Sequence, residues 1–108
     1  MKLPFYEVLL PIFDNSGKPY PDQRREAFEE ACLALIGAWT AAPTVIGKWR
    51  DEKTGTVYKD TCTPYRLMCL PAQFNKLLSM AHGLYPDQLS LFAAEIGKGW
   101  ISYPSGAG

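Results

Sequence analysis

Residues 44–70 read T-V-I-G-K-W-R-D-E-K-T-G-T-V-Y-K-D-T-C-T-P-Y-R-L-M-C-L. Two runs rich in β-branched and aromatic residues, Thr44–Asp51 and Thr56–Leu70, flank the polar stretch Glu52–Gly55, which ends in glycine. That arrangement predicts a β-hairpin. Pro64 has no N–H to give to a ladder, so an irregularity is expected there in the second strand. What surrounds this hairpin decides the fold.

On its N-terminal side the hydrophobic period is helical. Phe28, Ala31, Cys32, Leu35, Ile36 and Trp39 fall at three-and-four spacing, with Arg24, Arg25, Glu26, Glu29 and Glu30 largely opposite. This predicts an amphipathic helix over Asp22–Ala38, with Asp22 as its N-cap and Gly37 near its end. Before it, Phe5–Phe13 alternates: Tyr6, Val8, Leu10 and Ile12 on one face, Phe5, Glu7, Leu9, Pro11 and Phe13 on the other. That is a strand, broken by the turn residues Asp14-Asn15-Ser16-Gly17.

On the C-terminal side Pro71 suits the first turn of a helix. Phe74, Leu77, Leu78 and Ala81 form its stripe, and Gly83 suits the position just past its end. Leu89–Ile96 reads as a fourth strand. Gly97-Lys98-Gly99 is expected to turn it into a short fifth, Trp100–Tyr103, before a small-residue tail, residues 105–108. The order is β-α-β-β-α-β. Its commonest closed form is the ferredoxin-like split βαβ, an α+β fold with an antiparallel sheet and two helices on one face. Residues 1–104 are read as one such domain.

The tetrapeptide Y-P-D-Q occurs at 20–23 and again at 85–88. The first copy lies between first strand and first helix, the second between second helix and last strand. Those places are not equivalent under the internal twofold of the fold, so the copies are read as turn chemistry rather than as a relic of duplication.

At 47% hydrophobic and 20% charged residues, the 108-residue chain has a globular composition. Lys+Arg and Asp+Glu are both 11. Lys48 and Arg50 stand beside Asp51 and Glu52, and Arg24 and Arg25 beside Glu26, so duplex nucleic acid is not the expected partner. Cys32, Cys62 and Cys69 form no C-x-x-C pair and leave one thiol over in any disulfide scheme. The N-terminal apolar run is interrupted by Pro4, Glu7 and Pro11, too short to span a bilayer. The reading is a cytoplasmic protein without a membrane segment.

In a two-layer domain the strands should alternate apolar and polar, because one sheet face meets water. Here the first strand carries Phe5, Leu9 and Phe13 opposite an already apolar face. Leu89, Leu91 and Ala93 oppose Phe92, Ala94 and Ile96, and Tyr65, Leu67 and Cys69 oppose Met68 and Leu70. A covered second face is expected, and the simplest cover is a second copy of the chain, a homodimer through the open sheet face.

Catalytic motifs are scarce. His82 is the only histidine, so one chain cannot build a multi-histidine metal site. Late in the second helix, it suits the helix dipole, with acid–base work or ligand contact as the alternative. There is no H-E-x-x-H, Walker loop, G-x-G-x-x-G or G-x-S-x-G. Gly97-Lys98-Gly99-Trp100 is read as a turn, and Trp39 as core packing at the end of the first helix. The hairpin offers more: Trp49 and Asp51 share one face of their strand, Lys48 and Arg50 the other, and Tyr58, Asp60 and Cys62 share a face of the next. Trp49, Arg50, Asp51, Tyr58 and Asp60, with His82, are the candidate ligand-binding residues. An aromatic floor with a carboxylate and a guanidinium holds small polar molecules; ordinary cross-strand pairing uses the same residue types.

I-G-A-W-T (36–40), G-K-W-R-D (47–51), V-Y-K-D (57–60) and Y-P-D-Q (85–88) together resemble a pattern in small uncharacterised bacterial and phage proteins. In those, a helix ending in F-G-G-x-T leads to G-x-W and then to an F-G-Q or P-D-Q segment. Ala38-Trp39 stands where the pattern has a second glycine and a variable residue. The resemblance implies one βαββαβ domain and transfers no catalytic residue.

The function expected is therefore a non-catalytic, dimeric binding or regulatory domain for a small ligand or a protein partner, needing neither cofactor nor metal. One alternative is a small cofactor-independent enzyme of the dimeric α+β barrel kind, with its pocket between helices and sheet and His82, Tyr58 or Asp60 as acid or base. Another, from the phage-like pattern, is an inhibitor or sponge of a host defence component.

Overall fold

The computed structural model describes residues 2–104; the predicted tail, 105–108, lies outside the described residues. Strand β1 (Leu3–Pro11) leads to helix α1 (Asp22–Ile36), the short β2 (Thr40–Ala41), then β3 (Val45–Arg50), β4 (Val57–Met68), helix α2 (Pro71–Leu84) and β5 (Ala93–Gly99). The five strands form one antiparallel sheet. β1 and β4 are central, β5 flanks β1, and β2 and β3 flank β4. The two long connections each return the chain parallel to the strand it left, with another strand between them, as a split βαβ requires. This is the ferredoxin-like α+β fold expected from the sequence.

Both helices lie on one face, and the core fills the space beneath them. Tyr6, Val8 and Leu10 from β1 and Tyr65 and Leu67 from β4 meet Phe28 and Cys32 of α1 and Phe74, Leu77 and Ala81 of α2. Tyr6 stacks on Phe74 with ring centroids 4.0 Å apart, and Phe28 meets Tyr65 edge-on at 5.3 Å. The alternation seen in the sequence separates two faces of β1, and the helices cover the one that bears Tyr6, Val8 and Leu10.

Element ends depart from expectation where tertiary contacts override local chemistry. Asp22 is the first residue of α1 rather than its cap; Pro21 takes the cap position and no side chain caps the helix. Asp22 instead faces Arg25 at 3.5 Å. Gly37 ends α1 in the left-handed region, φ 79, with its N–H on the carbonyls of Cys32 and Leu33. A Cβ is strained there, so Gly37→Ala should cost about 1 kcal/mol, read as a lower urea midpoint with an unchanged slope.

Gly83 does not end α2. The helix runs on to Leu84, because the next residue, Tyr85, turns into the core and Pro86 cannot continue it. The strand expected over Leu89–Ile96 begins only at Ala93 and continues through Gly97-Lys98-Gly99, which are paired with Phe5, Pro4 and Leu3. The neighbouring strand supplies a template that outweighs the turn preference of two glycines. Gly99 also lets β5 pass close to Met68: a Cβ there would lie 2.5 Å from the Met68 sulfur and push that thioether aside. Trp100–Pro104 carry no regular structure, so the fifth strand is Thr40–Ala41 instead. Pro64 leaves the β1–β4 register unbroken. The irregularity falls on the other neighbour, where pairing with β3 ends at Cys62 and pairing with β2 begins at Tyr65.

The two Y-P-D-Q copies, separate in sequence, meet in space. Tyr20 stands edge-on against Tyr85 with centroids 5.0 Å apart. Its hydroxyl donates to Asp87 Oδ2 at 2.7 Å and accepts from Gln88 Nε2 at 2.8 Å. Arg24 lies over the Tyr20 ring and donates to the Leu84 carbonyl at 3.0 Å, and Asn15 donates to the Asp87 carbonyl at 3.2 Å. The repeat is more than turn punctuation: it fastens the loop before α1 to the loop after α2.

Candidate functional site: the open face of the sheet

The helices cover β1 and the C-terminal half of β4, and β3 reaches past them. Ile46, on the helix side of β3, is 66% exposed, and Val45 on the other side is also exposed. The face of the sheet turned away from the helices carries Glu7 and Leu9 of β1, Asp60 and Cys62 of β4, and Val45, Gly47 and Trp49 of β3, set by strand alternation and register.

Trp49 lies directly opposite Tyr58, and the rings stack with centroids 4.9 Å apart and planes 24° from parallel. Further along β4, on the same face, Asp60 faces Gly47, and its Oδ2 accepts the Trp49 indole N–H at 2.7 Å. Phe92, just before β5, approaches Trp49 edge-on at 6.0 Å. Its carbonyl accepts from the Leu9 N–H at 2.9 Å, which ties that loop to β1. The indole is therefore held by the stacked Tyr58 ring, the nearby Phe92 edge and a carboxylate at its nitrogen.

Two open cavities flank this cluster and share Asp60. One, of about 460 Å³, runs along the open face between Glu7, Leu9, Val45, Trp49 and Phe92, with Gly47 contributing no side chain. The other, of about 420 Å³, lies between Tyr58 and the loop bearing Phe13, Asp14 and Asn15. Asp14 anchors that loop, accepting from the Ser16 hydroxyl at 2.7 Å and from the Ser16 and Lys18 amides at 2.9 Å. These bonds, that from the Ser16 hydroxyl foremost, hold its carboxyl below the usual aspartate range. Glu7 accepts from Arg66 across the strands at 3.0 Å.

Trp49, Tyr58 and Asp60 come together as a unit. Asp51 belongs to the hairpin turn, where it accepts from the Lys53 amide at 2.9 Å. Arg50 is exposed on the opposite face of β3, and His82 is exposed on α2, in the helix layer. Sequence reading passed over Phe92 and Gly47. Phe92 falls within the expected fourth strand, and its place beside Leu9 is what brings it onto Trp49. The space between α1 and the sheet, beside Tyr65 and Tyr85, amounts to about 90 Å³, well below the roughly 300 Å³ at which ligand pockets begin.

All three cysteines are free and buried. Burial pushes the Cys62 thiol up to about 11, with a smaller push from Asp60, and the Cys32 thiol up to about 12. Cys62 borders the groove as a neutral thiol. Burial also raises Tyr6, Tyr65 and Tyr85, and lifts Tyr20 to about 12. A raised pKa means the folded chain keeps protons that the unfolded chain loses, so stability is intact below about pH 8, where unfolded thiols begin to ionise, and falls as pH climbs through 8–12. Urea midpoints measured at pH 6, 7.5 and 10.5 should be level between the first two and drop sharply at the third.

No protein-family profile matches this chain, and no characterised protein matches it in sequence. Solved structures do match its fold. A divalent cation tolerance protein (CutA1) from Thermus thermophilus superposes with a TM-score of 0.60 at 17% identity, over 92% of this chain and 87% of that one. A phage SAM lyase, solved in complex with S-methyl-5'-thioadenosine, gives 0.59 at 11% identity over 82% and 76%. A single-residue variant of CutA1 from Pyrococcus horikoshii gives 0.54 at 15% over 89% and 83%. At these identities the likeness is one of fold. Among the described residues no group of three His, Cys, Asp or Glu side chains is placed to hold a metal ion, and no helix is long and apolar enough to cross a membrane.

Proposed function

We propose that the protein is a non-catalytic binding or regulatory domain that holds a small, nucleoside-sized molecule on the open face of its sheet. The observation that carries this reading is the Trp49 indole, stacked on Tyr58 and hydrogen-bonded to Asp60, beside a groove of about 460 Å³. A flat aromatic group gains by stacking on such a platform, and a carboxylate beside it accepts from ligand amino or hydroxyl groups. The fold likeness to a protein that holds S-methyl-5'-thioadenosine makes that compound the natural first probe. The exposed apolar residues of this face, with Phe92 and Ile96 about half exposed, support a homodimer packed through it around the ligand. Three free thiols suit the cytoplasm.

Native mass spectrometry of freshly purified protein, with a denatured run alongside, tests both parts. The expected spectrum is a dimer with a reproducible small extra mass that disappears on denaturation. Calorimetry with S-methyl-5'-thioadenosine should give a dissociation constant on the order of 10 µM, with the compound recovered unchanged. A bare monomer that takes up no probe would sink the reading, and consumption of the probe would overturn its non-catalytic part.

A further inference from the structure

Both cavities beside the Trp49–Asp60 pair depend on segments with no regular structure of their own. One wall is the loop bearing Phe13, Asp14, Asn15 and Gly17, and the other is Phe92, at the end of the irregular segment 89–92. Each is fastened at one end to the sheet: Ile12 donates to the Thr61 carbonyl and Leu9 to the Phe92 carbonyl, both at 2.9 Å. At the other end both reach the same place. Asn15 bonds the Asp87 carbonyl, and Asp87 and Gln88 hold the Tyr20 hydroxyl. Phe92, which closes on Trp49, follows Gln88 by only four residues.

We infer that Tyr20, Asp87 and Gln88 are positioning residues of the open-face site, a latch made from the two Y-P-D-Q copies that sets both loop walls against the Trp49–Asp60 pair. The inference rests on the reading of that face as a ligand site. The latch touches neither cavity's platform, so it acts through the walls. Tyr20 is the shared element: its single hydroxyl is donor to one loop residue and acceptor for the next, and Arg24 over its ring keeps it in place. Removing that oxygen takes one hydrogen bond from Asp87 and one from Gln88 at once, leaving Asp87 only the Arg24 guanidinium at 3.6 Å and the Asn15 amide on its carbonyl, with the Tyr20–Tyr85 packing available to a phenylalanine. A structural brace would lower global stability and nothing else. A latch loosens the walls locally and weakens binding at temperatures where the chain is fully folded.

The test is Tyr20→Phe, with Gln88→Ala as the milder second variant, read two ways on the full chain well below its melting temperature. Amide exchange of Leu9, which bonds the Phe92 carbonyl, is compared with that of Leu77 in the α2 core, and affinity for S-methyl-5'-thioadenosine is measured. The expected result is a rise of about 10-fold in Leu9 exchange relative to Leu77, with a loss of about 10-fold in affinity. Leu9 exchange that merely tracks Leu77 would overturn the latch. A loosened wall with unchanged affinity, where Trp49→Ala abolishes binding, would overturn its link to the site. If Leu9 loosens but the probe binds neither variant nor wild type, the ligand reading fails while the positioning of the walls by Tyr20 stands.

Discussion

Phe28→Ala should remove most of the stability of the chain. Phe28 is completely buried on α1, edge-on to the fully buried ring of Tyr65, at the place where helix layer and sheet meet. Truncating such a ring typically costs about 3–5 kcal/mol, against a total of about 5–15 kcal/mol for a domain, so the melting temperature should fall by about 15 °C or more. Tyr65→Phe offers a graded comparison. It keeps the ring and removes the hydroxyl that donates to Glu29 Oε2 at 2.5 Å, so its cost should be nearer 1–2 kcal/mol. Thermal denaturation of both variants checks the ordering. A Phe28→Ala protein as stable as wild type would mean that the layers do not meet through this ring.

The second large effect concerns the open face. Trp49→Ala should abolish measurable probe binding, a loss of roughly 100-fold, because stacking on one aromatic ring is worth about 1–3 kcal/mol and Asp60 also loses its indole partner. Stability should fall by about 1–3 kcal/mol from the lost stacking and indole hydrogen bond, less than for Phe28→Ala, since Trp49 sits on the hairpin beyond the helices and outside the core. Asp60→Asn separates the two roles. Its amide oxygen can still accept the indole N–H, so the ring stays in place while the negative charge is lost. Calorimetry on the pair distinguishes a platform that works by stacking from one that works by charge. Equal losses in both variants would give the carboxylate the larger share.

The order of elements and the two faces of each were legible because they depend on period. Tyr6, Val8 and Leu10 alternate, and Phe28 and Cys32 stand one helical turn apart. What could not be read was where long-range contacts outvote local preference. Gly83 lies inside a helix because Tyr85 is drawn into the core two residues later. Gly97 and Gly99 lie inside a strand because β1 pairs with them. The candidate site was legible to the same extent. Trp49, Tyr58 and Asp60 could be grouped from the hairpin alone, since its register follows from the turn. Phe92 could not, because it arrives from the far end of the chain. The two Y-P-D-Q copies looked like independent turns, and nothing in their spacing shows that one tyrosine hydroxyl joins them.

On the proposed reading, a small molecule binds the open face around Trp49. A ¹⁵N-correlated NMR titration of the full chain with S-methyl-5'-thioadenosine tests it most directly. The side-chain indole signal of Trp49 and the amides of Gly47, Leu9 and Phe92 should shift together, saturating with one dissociation constant, while the amides of α2 around His82 stay still. Shifts confined to the helix layer, or none at millimolar probe, would contradict it.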